Sequence, residues 1–165
     1  MEPLKKVTLE HTYDATAETL WKAWTDPPAL KTWWGPDHVS IPECSVDLQV
    51  GGTFHIVMKA GAAMGEYQGM LWPMDATYTT IVPHEHLAYK AIAWTEGHKD
   101  ETMIDQTTDI TFTEADGKTT ITVVAAIYSM GPGAQMAAAG MQYGFTQQLE
   151  KLAQFLTGNV PNAVE

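Results

Sequence analysis

The chain alternates apolar and polar side chains over a long run, from residue 38 to about residue 129, and then carries one helical pattern. Within the run, Phe54, Ile56 and Met58 fall on one face of a strand, and the residues between them fall on the other. A period of two is typical of β-strands, and turn sequences such as residues 114–117, Glu-Ala-Asp-Gly, separate the segments. Because short turns join antiparallel strands, the run predicts an antiparallel sheet.

Helical patterns flank the predicted sheet on both sides. A strand at residues 6–13 precedes a helix that Asp14 or Thr16 caps, and a short second helix ends at residues 35–36, Gly-Pro. After the sheet, Pro132 begins a predicted helix of about 24 residues, since apolar residues recur there at helical spacing. The apolar stripe of this helix consists of Met141, Phe145, Leu149, Leu152 and Leu156. This order predicts an α+β fold with the helices segregated from the sheet.

Length and charge exclude several classes of protein. A chain of 165 residues with 45% hydrophobic content fits one domain with a real core. The net charge of −11, with nine lysines and no arginine, excludes a nucleic-acid-binding protein, because phosphate contacts need dense positive charge. The sequence shows no membrane-spanning run and no signal peptide, so we expect no membrane association and a cytoplasmic location. The single cysteine, Cys44, excludes an internal disulfide.

Five blocks of the sequence, among them a Trp-Trp-Gly-Pro helix end and a Gly-Gly turn, resemble a known family in the same order. The blocks are residues 12–36, 46–58, 77–89, 110–123 and 144–156. Together they resemble the START-like, or helix-grip, superfamily, in its bacterial branch related to the activator of the heat-shock protein 90 ATPase. The resemblance implies a curved antiparallel β-sheet wrapped around a long C-terminal α-helix, with two short helices after the first strand. A single START-like domain would then cover residues 1–157. Residues 158–165, which are polar and contain a proline after the last helix, are predicted to be a flexible tail.

The resemblance further implies a cavity between the sheet and the last helix, which family members use to bind lipids, sterols, polyketides or other apolar molecules. We therefore expect binding of a small apolar or aromatic molecule, without a cofactor, by a monomer or weak homodimer. Two alternatives stay open: an enzyme of the polyketide cyclase or dehydratase type, and a protein-binding module with a chaperone partner. The sequence departs from the family pattern at Thr16, at Thr53 and His55, where arginines are common, at Phe145, and in residues 70–76.

Aromatic and methionine side chains are the strongest functional signal. Six tryptophans, six tyrosines and nine methionines suit a cavity for irregular apolar molecules, although a packed core also explains many of them. In the implied fold, Ala137, Gly140 and Gly144 would leave space beside such a cavity. The predicted ligand-binding residues are Trp34, Phe54, Ile56, Met58, Trp72, Tyr78, Tyr89, Met141 and Phe145.

Catalysis would need a titratable side chain held inside the cavity. The candidates are His55, Asp75 and Tyr78. The alternation of apolar residues around His55 places this side chain on the outer face, unless the register changes at Gly52. Asp75 lies between apolar residues, yet an exposed carboxylate is the commoner role for such a residue. Whether the chain is an enzyme stays open.

A metal site is not expected. His84 and His86 stand two residues apart, and a third ligand with suitable spacing is missing from the sequence around them. The pair follows Pro83, at a position typical of a solvated turn. Cys44 stands beside Glu43, whose negative charge would raise the pKa of the thiol and make it a poor nucleophile.

Overall fold

The computed structural model describes residues 2–162 and contains one seven-stranded sheet. The strands are β1 (Lys5–Tyr13), β2 (Val39–Val46), β3 (Thr53–Ala60), β4 (Leu71–Val82), β5 (His86–Ala93), β6 (Ile104–Ala115) and β7 (Lys118–Met130). Neighbouring strands are antiparallel, in the spatial order β1-β7-β6-β5-β4-β3-β2. Register shifts in the β2–β3, β4–β5 and β6–β7 pairs bend the strands, and such bulges curve a sheet.

The helices are α1 (Ala17–Thr25), α2 (Pro27–Trp33), α3 (Lys99–Thr102), α4 (Gln135–Ala139) and α5 (Met141–Leu156), and Ala62–Tyr67 forms a kinked 3₁₀ segment. Side chains of α1, α2 and α5 enclose the main core with one face of the sheet. The predicted α+β, helix-grip arrangement is therefore confirmed, with two helices after the first strand and a helix near the C-terminus against a curved sheet. Within the described residues, no helix is long and apolar enough to cross a bilayer.

Local sequence explains where α1 and α2 begin. Thr16 caps α1, because its Oγ1 accepts a hydrogen bond from the Thr19 N–H at 3.2 Å. Of the two predicted caps, Asp14 and Thr16, the structure uses Thr16. Helix α2 begins at Pro27, where the missing N–H needs no partner, and Gly35 follows the helix in a left-handed conformation with φ of 92°.

Strand β4 differs from the prediction for residues 70–76. The sequence suggested separate strands near residues 67–72 and 76–82, with an altered segment between them. The structure instead has one strand through Leu71–Val82. Pro73 lies inside it without ending it, because its carbonyl still accepts a hydrogen bond from the Trp94 N–H at 3.1 Å.

The sequence predicted one C-terminal helix of about 24 residues. The structure has two helices instead, α4 and α5, which are separated at Gly140 because glycine is a poor helix former. Gly140 lies between them with φ of −87° and ψ of 1°, outside helical geometry. The helical part also begins later than Pro132. The N–H groups of Gly131 and Gly133 donate to the carbonyls of Met103 at 2.8 Å and Glu101 at 2.6 Å, so this segment is held against α3.

The predicted flexible tail at residues 158–165 is held at one residue. Asn162 is 5% exposed and donates from its backbone N–H to the Thr32 carbonyl at 3.0 Å. Its Nδ2 donates to the carbonyls of Lys31 at 3.0 Å and Trp34 at 3.1 Å, at the end of α2. These bonds serve carbonyls that a helix end leaves without an intrahelical partner. Residues 163–165 of the predicted tail lie outside the described residues.

Candidate ligand-binding cavity

A cavity of about 180 Å³ lies between the sheet and α5, and we call it the first compartment. Strands β3 to β6 form one side, and α4, α5 and the segment after α2 form the other. The predicted ligand-binding residues that line it are Trp34, Ile56, Met58, Trp72, Tyr89, Met141 and Phe145. Its other lining residues are Pro36, Pro73, Met74, Ala93, Gln106, Thr108, Ala137, Gly144 and Gln148.

Two predicted ligand-binding residues, Phe54 and Tyr78, do not line this cavity. Both are 1% exposed, and their rings stack with centroids 6.0 Å apart. Phe54 also meets the ring of Trp34 edge-on at 5.4 Å. The two rings therefore belong to the packed core beside the compartment, with Trp34 between that core and the empty space.

Small residues on the helical side leave the first compartment open. Gly144, one turn into α5, lines it, and a Cβ added there would meet nothing within 4 Å. Ala137, on α4, lines it as well. Gly140, which the sequence placed with them, does not line it and instead separates the two helices.

A second compartment of about 240 Å³ adjoins the first. The two share Met58, Trp72, Ala93 and Ala137 as lining residues. The second extends from there toward α3 and the start of α4, where its wall consists of Trp94, Thr95, Thr102, Ile104, Gly133 and Ala134. The two compartments therefore lie side by side between the sheet and the C-terminal helices.

Four polar side chains interrupt the apolar wall of the first compartment. Tyr89 on β5 and Thr108 on β6 are two of them. Burial raises the pKa of Tyr89 well above its usual range, and the Thr108 side chain partly opposes this shift. Gln106 points its Nε2 at the sulfur of Met74, 3.9 Å away. Gln148 accepts a hydrogen bond at Oε1 from the Gly35 N–H at 3.1 Å. Each residue is less than a tenth exposed, and three of these four side chains lie on the sheet.

Lys151 fixes the segment after α2 to α5. It is 2% exposed, and its Nζ donates to the carbonyls of Pro36 at 2.7 Å, Gly35 at 2.9 Å and Trp34 at 3.4 Å. Burial lowers the pKa of Lys151 to about 8, and the negative charge of Asp37 partly opposes that shift. Since Trp34 and Pro36 line the cavity, this buried ammonium holds part of its wall in place.

The catalytic candidates do not meet inside the cavity. His55 lies on the outer face of the sheet, where its Nδ1 is 2.6 Å from Asp75 Oδ1 and its Nε2 is 3.6 Å from Glu43 Oε1. His55 and Asp75 are directly paired between β3 and β4, and both are absent from the cavity wall. Tyr78 is buried, its hydroxyl has no hydrogen-bond partner among the described residues, and burial raises its pKa well above the usual range.

His84 and His86, two residues apart in the sequence, lie in different structural elements. His84 lies in the β4–β5 turn with a left-handed φ of 67°, whereas His86 begins β5 and lies 2.9 Å from both carboxylate oxygens of Asp109. Among residues 2–162, no group of three or more His, Cys, Asp and Glu side chains could hold a metal ion. Burial is the main cause that raises the pKa of Cys44 to about 11, so this thiol stays protonated at neutral pH.

Comparison with known proteins identifies the family. The sequence profile of the family described as activator of Hsp90 ATPase homolog 1-like protein matches residues 14–157, most of the chain. The chain belongs to this family. No curated protein matches the sequence.

Three solved structures of other proteins share the fold. A protein of Chromobacterium violaceum is 21% identical and has a TM-score of 0.71, with 93% of this chain and 98% of that chain covered. A protein of Nitrosomonas europaea is 22% identical with a TM-score of 0.72, and 92% and 94% of the chains are covered. The AHSA1 protein of Silicibacter pomeroyi is 19% identical with a TM-score of 0.68, and 93% and 98% are covered. At these identities, the likeness establishes the helix-grip fold of this AHSA1-like protein and no activity.

Of the four polar residues of the cavity, Tyr89 was predicted from the sequence, and Gln106, Thr108 and Gln148 were missed. Gln106 and Thr108 lie on the inward face of β6, where they alternate with half-exposed residues, and a buried polar residue on a strand gives no distinctive pattern. Gln148 follows Phe145 by three residues and precedes Leu152 by four, which places it on the inner stripe of this family's C-terminal helix. A polar residue inside an apolar stripe was therefore the sequence pattern that could have placed Gln148 in the cavity wall.

Proposed function

We propose that this AHSA1-like protein binds a small apolar or aromatic molecule in the first compartment. The observation that carries the proposal is a cavity of about 180 Å³ with a mainly apolar wall between the sheet and α5. An apolar cavity of about 150 Å³ is large enough to hold benzene, so one aromatic ring with a small substituent fits this space. The rings of Trp34, Trp72 and Phe145 offer flat apolar surfaces to such a ligand.

The cost of Gly144 to the stability of α5 also supports this proposal. A glycine in a helix interior costs about 1 kcal/mol relative to alanine, because it is more flexible in the unfolded chain. Close packing does not explain this glycine, since an added Cβ would meet nothing within 4 Å. An open cavity beside Gly144 does explain why a larger side chain is absent there.

Catalysis receives less support than binding from the placement of the titratable groups. His55 and Asp75, the pair best suited to acid–base chemistry, face away from the cavity. The wall of the first compartment, as far as the described residues form it, contains no Asp, Glu, Lys or His. We therefore place the function in binding.

Filling the cavity from Gly144 should abolish binding without loss of stability. In Gly144→Leu the side chain would occupy the space beside α5, whereas Gly144→Ala would leave most of it open. Both substitutions should raise the free energy of unfolding by up to about 1 kcal/mol, because both improve helix propensity. The measurement is an NMR titration of ¹⁵N-labelled protein with ethylbenzene, as an apolar probe, together with urea denaturation.

For the natural protein we expect saturable shifts of the Trp34 and Trp72 indole signals, with a dissociation constant on the order of 0.1–1 mM. Gly144→Ala should retain these shifts, and Gly144→Leu should lose them. Saturation of the natural protein without any shift at cavity residues, or equal binding by the leucine variant, would contradict the proposal.

A further inference from the structure

One amide of the first compartment has an unused donor. Gln148 lines the compartment and is 5% exposed. Its Oε1 accepts the hydrogen bond from Gly35, and this bond fixes which end of the amide is oxygen and which is nitrogen. Among the described residues, its Nε2 has no hydrogen-bond partner. Buried polar groups are almost always paired, so this nitrogen is a donor that an acceptor from outside the chain could satisfy.

A second donor on the opposite wall is weakly paired. Gln106, on β6, is 9% exposed and lines the same compartment. Its Nε2 contacts the sulfur of Met74 at 3.9 Å, and a thioether is a weak acceptor. Two residues that line the compartment, one on the sheet and one on the helix, therefore carry amide donors without a strong acceptor.

The charge of the wall limits the ligand to neutral molecules. The described lining residues carry no charged side chain. The nearest buried charge along α5, Lys151, directs its Nζ to the carbonyls of Trp34, Gly35 and Pro36. A carboxylate or ammonium entering this compartment would lose its hydration and find no counter-charge on the wall, which is strongly unfavourable.

These features specify the kind of molecule that completes the wall. We infer, on the basis of the proposed function, that the ligand is a neutral aromatic carbonyl compound whose carbonyl oxygen accepts a hydrogen bond from Gln148 Nε2. The aromatic ring packs against Trp72, Met58 and Phe145, which line the same compartment. Longer members of this class extend past Trp72 into the second compartment. The Nε2 of Gln106 is the second donor available to the same oxygen or to a further acceptor on the ring.

Three one-ring probes separate this inference from simple apolar binding. Acetophenone carries the carbonyl, ethylbenzene replaces it with an apolar group of similar size, and benzoate adds a charge. Apolar burial alone favours ethylbenzene, because acetophenone must give up water at its oxygen. With the hydrogen bond to Gln148, acetophenone should bind about tenfold more tightly than ethylbenzene, and benzoate should not bind measurably.

Gln148→Glu and Gln147→Glu form a matched pair of variants for this test. An ionised glutamate at position 148 keeps an acceptor for the Gly35 N–H and removes the donor. The comparison is therefore made at a pH at which titration of the variant shows that this carboxyl is ionised. Gln147 makes the corresponding bond to the Asp37 N–H at 3.1 Å but does not line the cavity. We expect Gln147→Glu to keep the preference for acetophenone and Gln148→Glu to reverse it. The side-chain amide protons of Gln148 in the natural protein give a readout that needs no variant, because a new hydrogen bond moves them downfield.

The outcomes are distinct. A tighter dissociation constant for acetophenone, with a downfield shift of the Gln148 amide, supports the inference. Equal binding of acetophenone and ethylbenzene, or an unchanged preference in Gln148→Glu, overturns the inference and leaves the proposed function standing. Binding of benzoate as tight as that of acetophenone overturns the neutral class. If neither neutral probe shifts a cavity signal near saturation, the proposed function itself fails.

Discussion

Lys151→Met should lower the free energy of unfolding by about 3 kcal/mol at pH 7, since a buried carbonyl left without its donor costs about 1–3 kcal/mol. Lys151 Nζ serves the carbonyls of Trp34, Gly35 and Pro36, and methionine has no donor for them. Only Trp34 keeps another bond at its carbonyl, from Asn162 Nδ2, among those described. Urea denaturation followed by tryptophan fluorescence measures the loss. Lys22→Met, at an exposed position of α1, is the control and should change stability by less than about 0.5 kcal/mol.

The same lysine should make stability depend on pH in an unusual direction. Its pKa is about 8 in the folded protein and lies near 10.5 in the unfolded chain, so between these values the unfolded chain binds more protons. The free energy of unfolding should therefore rise as the pH increases from 8 toward 10. Above about pH 10 the buried tyrosines oppose this gain. Their hydroxyls ionise in the unfolded chain but stay protonated in the folded protein, where burial raises their pKa, so the free energy of unfolding falls. The contribution of the lysine is the difference in free energy of unfolding between the natural protein and Lys151→Met, measured at each pH. If this difference stays constant from pH 7 to 10, the lowered pKa of Lys151 is wrong.

Gly131→Ala should lower the free energy of unfolding by about 3 kcal/mol, toward the upper end of what overpacking costs. An added Cβ would lie against the backbone carbonyl oxygens of Glu101 and Asp100, which cannot move aside as a flexible side chain does. The collision would also strain the bond from the Gly131 N–H to the Met103 carbonyl. Urea denaturation of the purified variant measures the effect.

Gly133→Ala is the matched comparison for this substitution. Its added Cβ would lie 3.1 Å from the Glu101 carbonyl oxygen, a contact that a small shift can relieve. We expect it to cost less than half as much as Gly131→Ala. Similar losses in the two variants would show that the close approach at Gly131 does not limit the packing of this segment on α3.

Side-chain alternation and resemblance to a family together predicted most of the fold. Phe54 and Ile56 are both buried on β3, as the period of two required, and His55 between them faces outward. The predicted C-terminal helix began too early in the chain. Helix propensity alone does not reveal that the N–H groups of Gly131 and Gly133 donate hydrogen bonds to the α3 segment. Contacts between residues distant in sequence decided that boundary.

The aromatic and aliphatic residues of the candidate site, Tyr89 included, were largely predictable, whereas its amide and threonine side chains were not. Trp34, Met58 and Trp72 line the cavity as expected from their type and strand position. Lys151 was overlooked because a lysine on a helix is usually exposed, and its acceptors lie more than a hundred residues away in the chain. The role of Gln148 likewise depends on Gly35, which the sequence does not place near it.

The position of β1 bears on how this domain should be delimited for expression. The family profile begins at residue 14, whereas β1 spans Lys5–Tyr13 and pairs along its full length with β7. A recombinant fragment cut at the profile boundary would lose nine paired residues and the bond from the Tyr13 hydroxyl to the Leu149 carbonyl at 2.8 Å. It would also turn β7 into a bare edge with unpaired N–H and C=O groups, which recruits other strands. Such a fragment would be an aggregation hazard in the expression host even though it retains every residue that the family profile recognises.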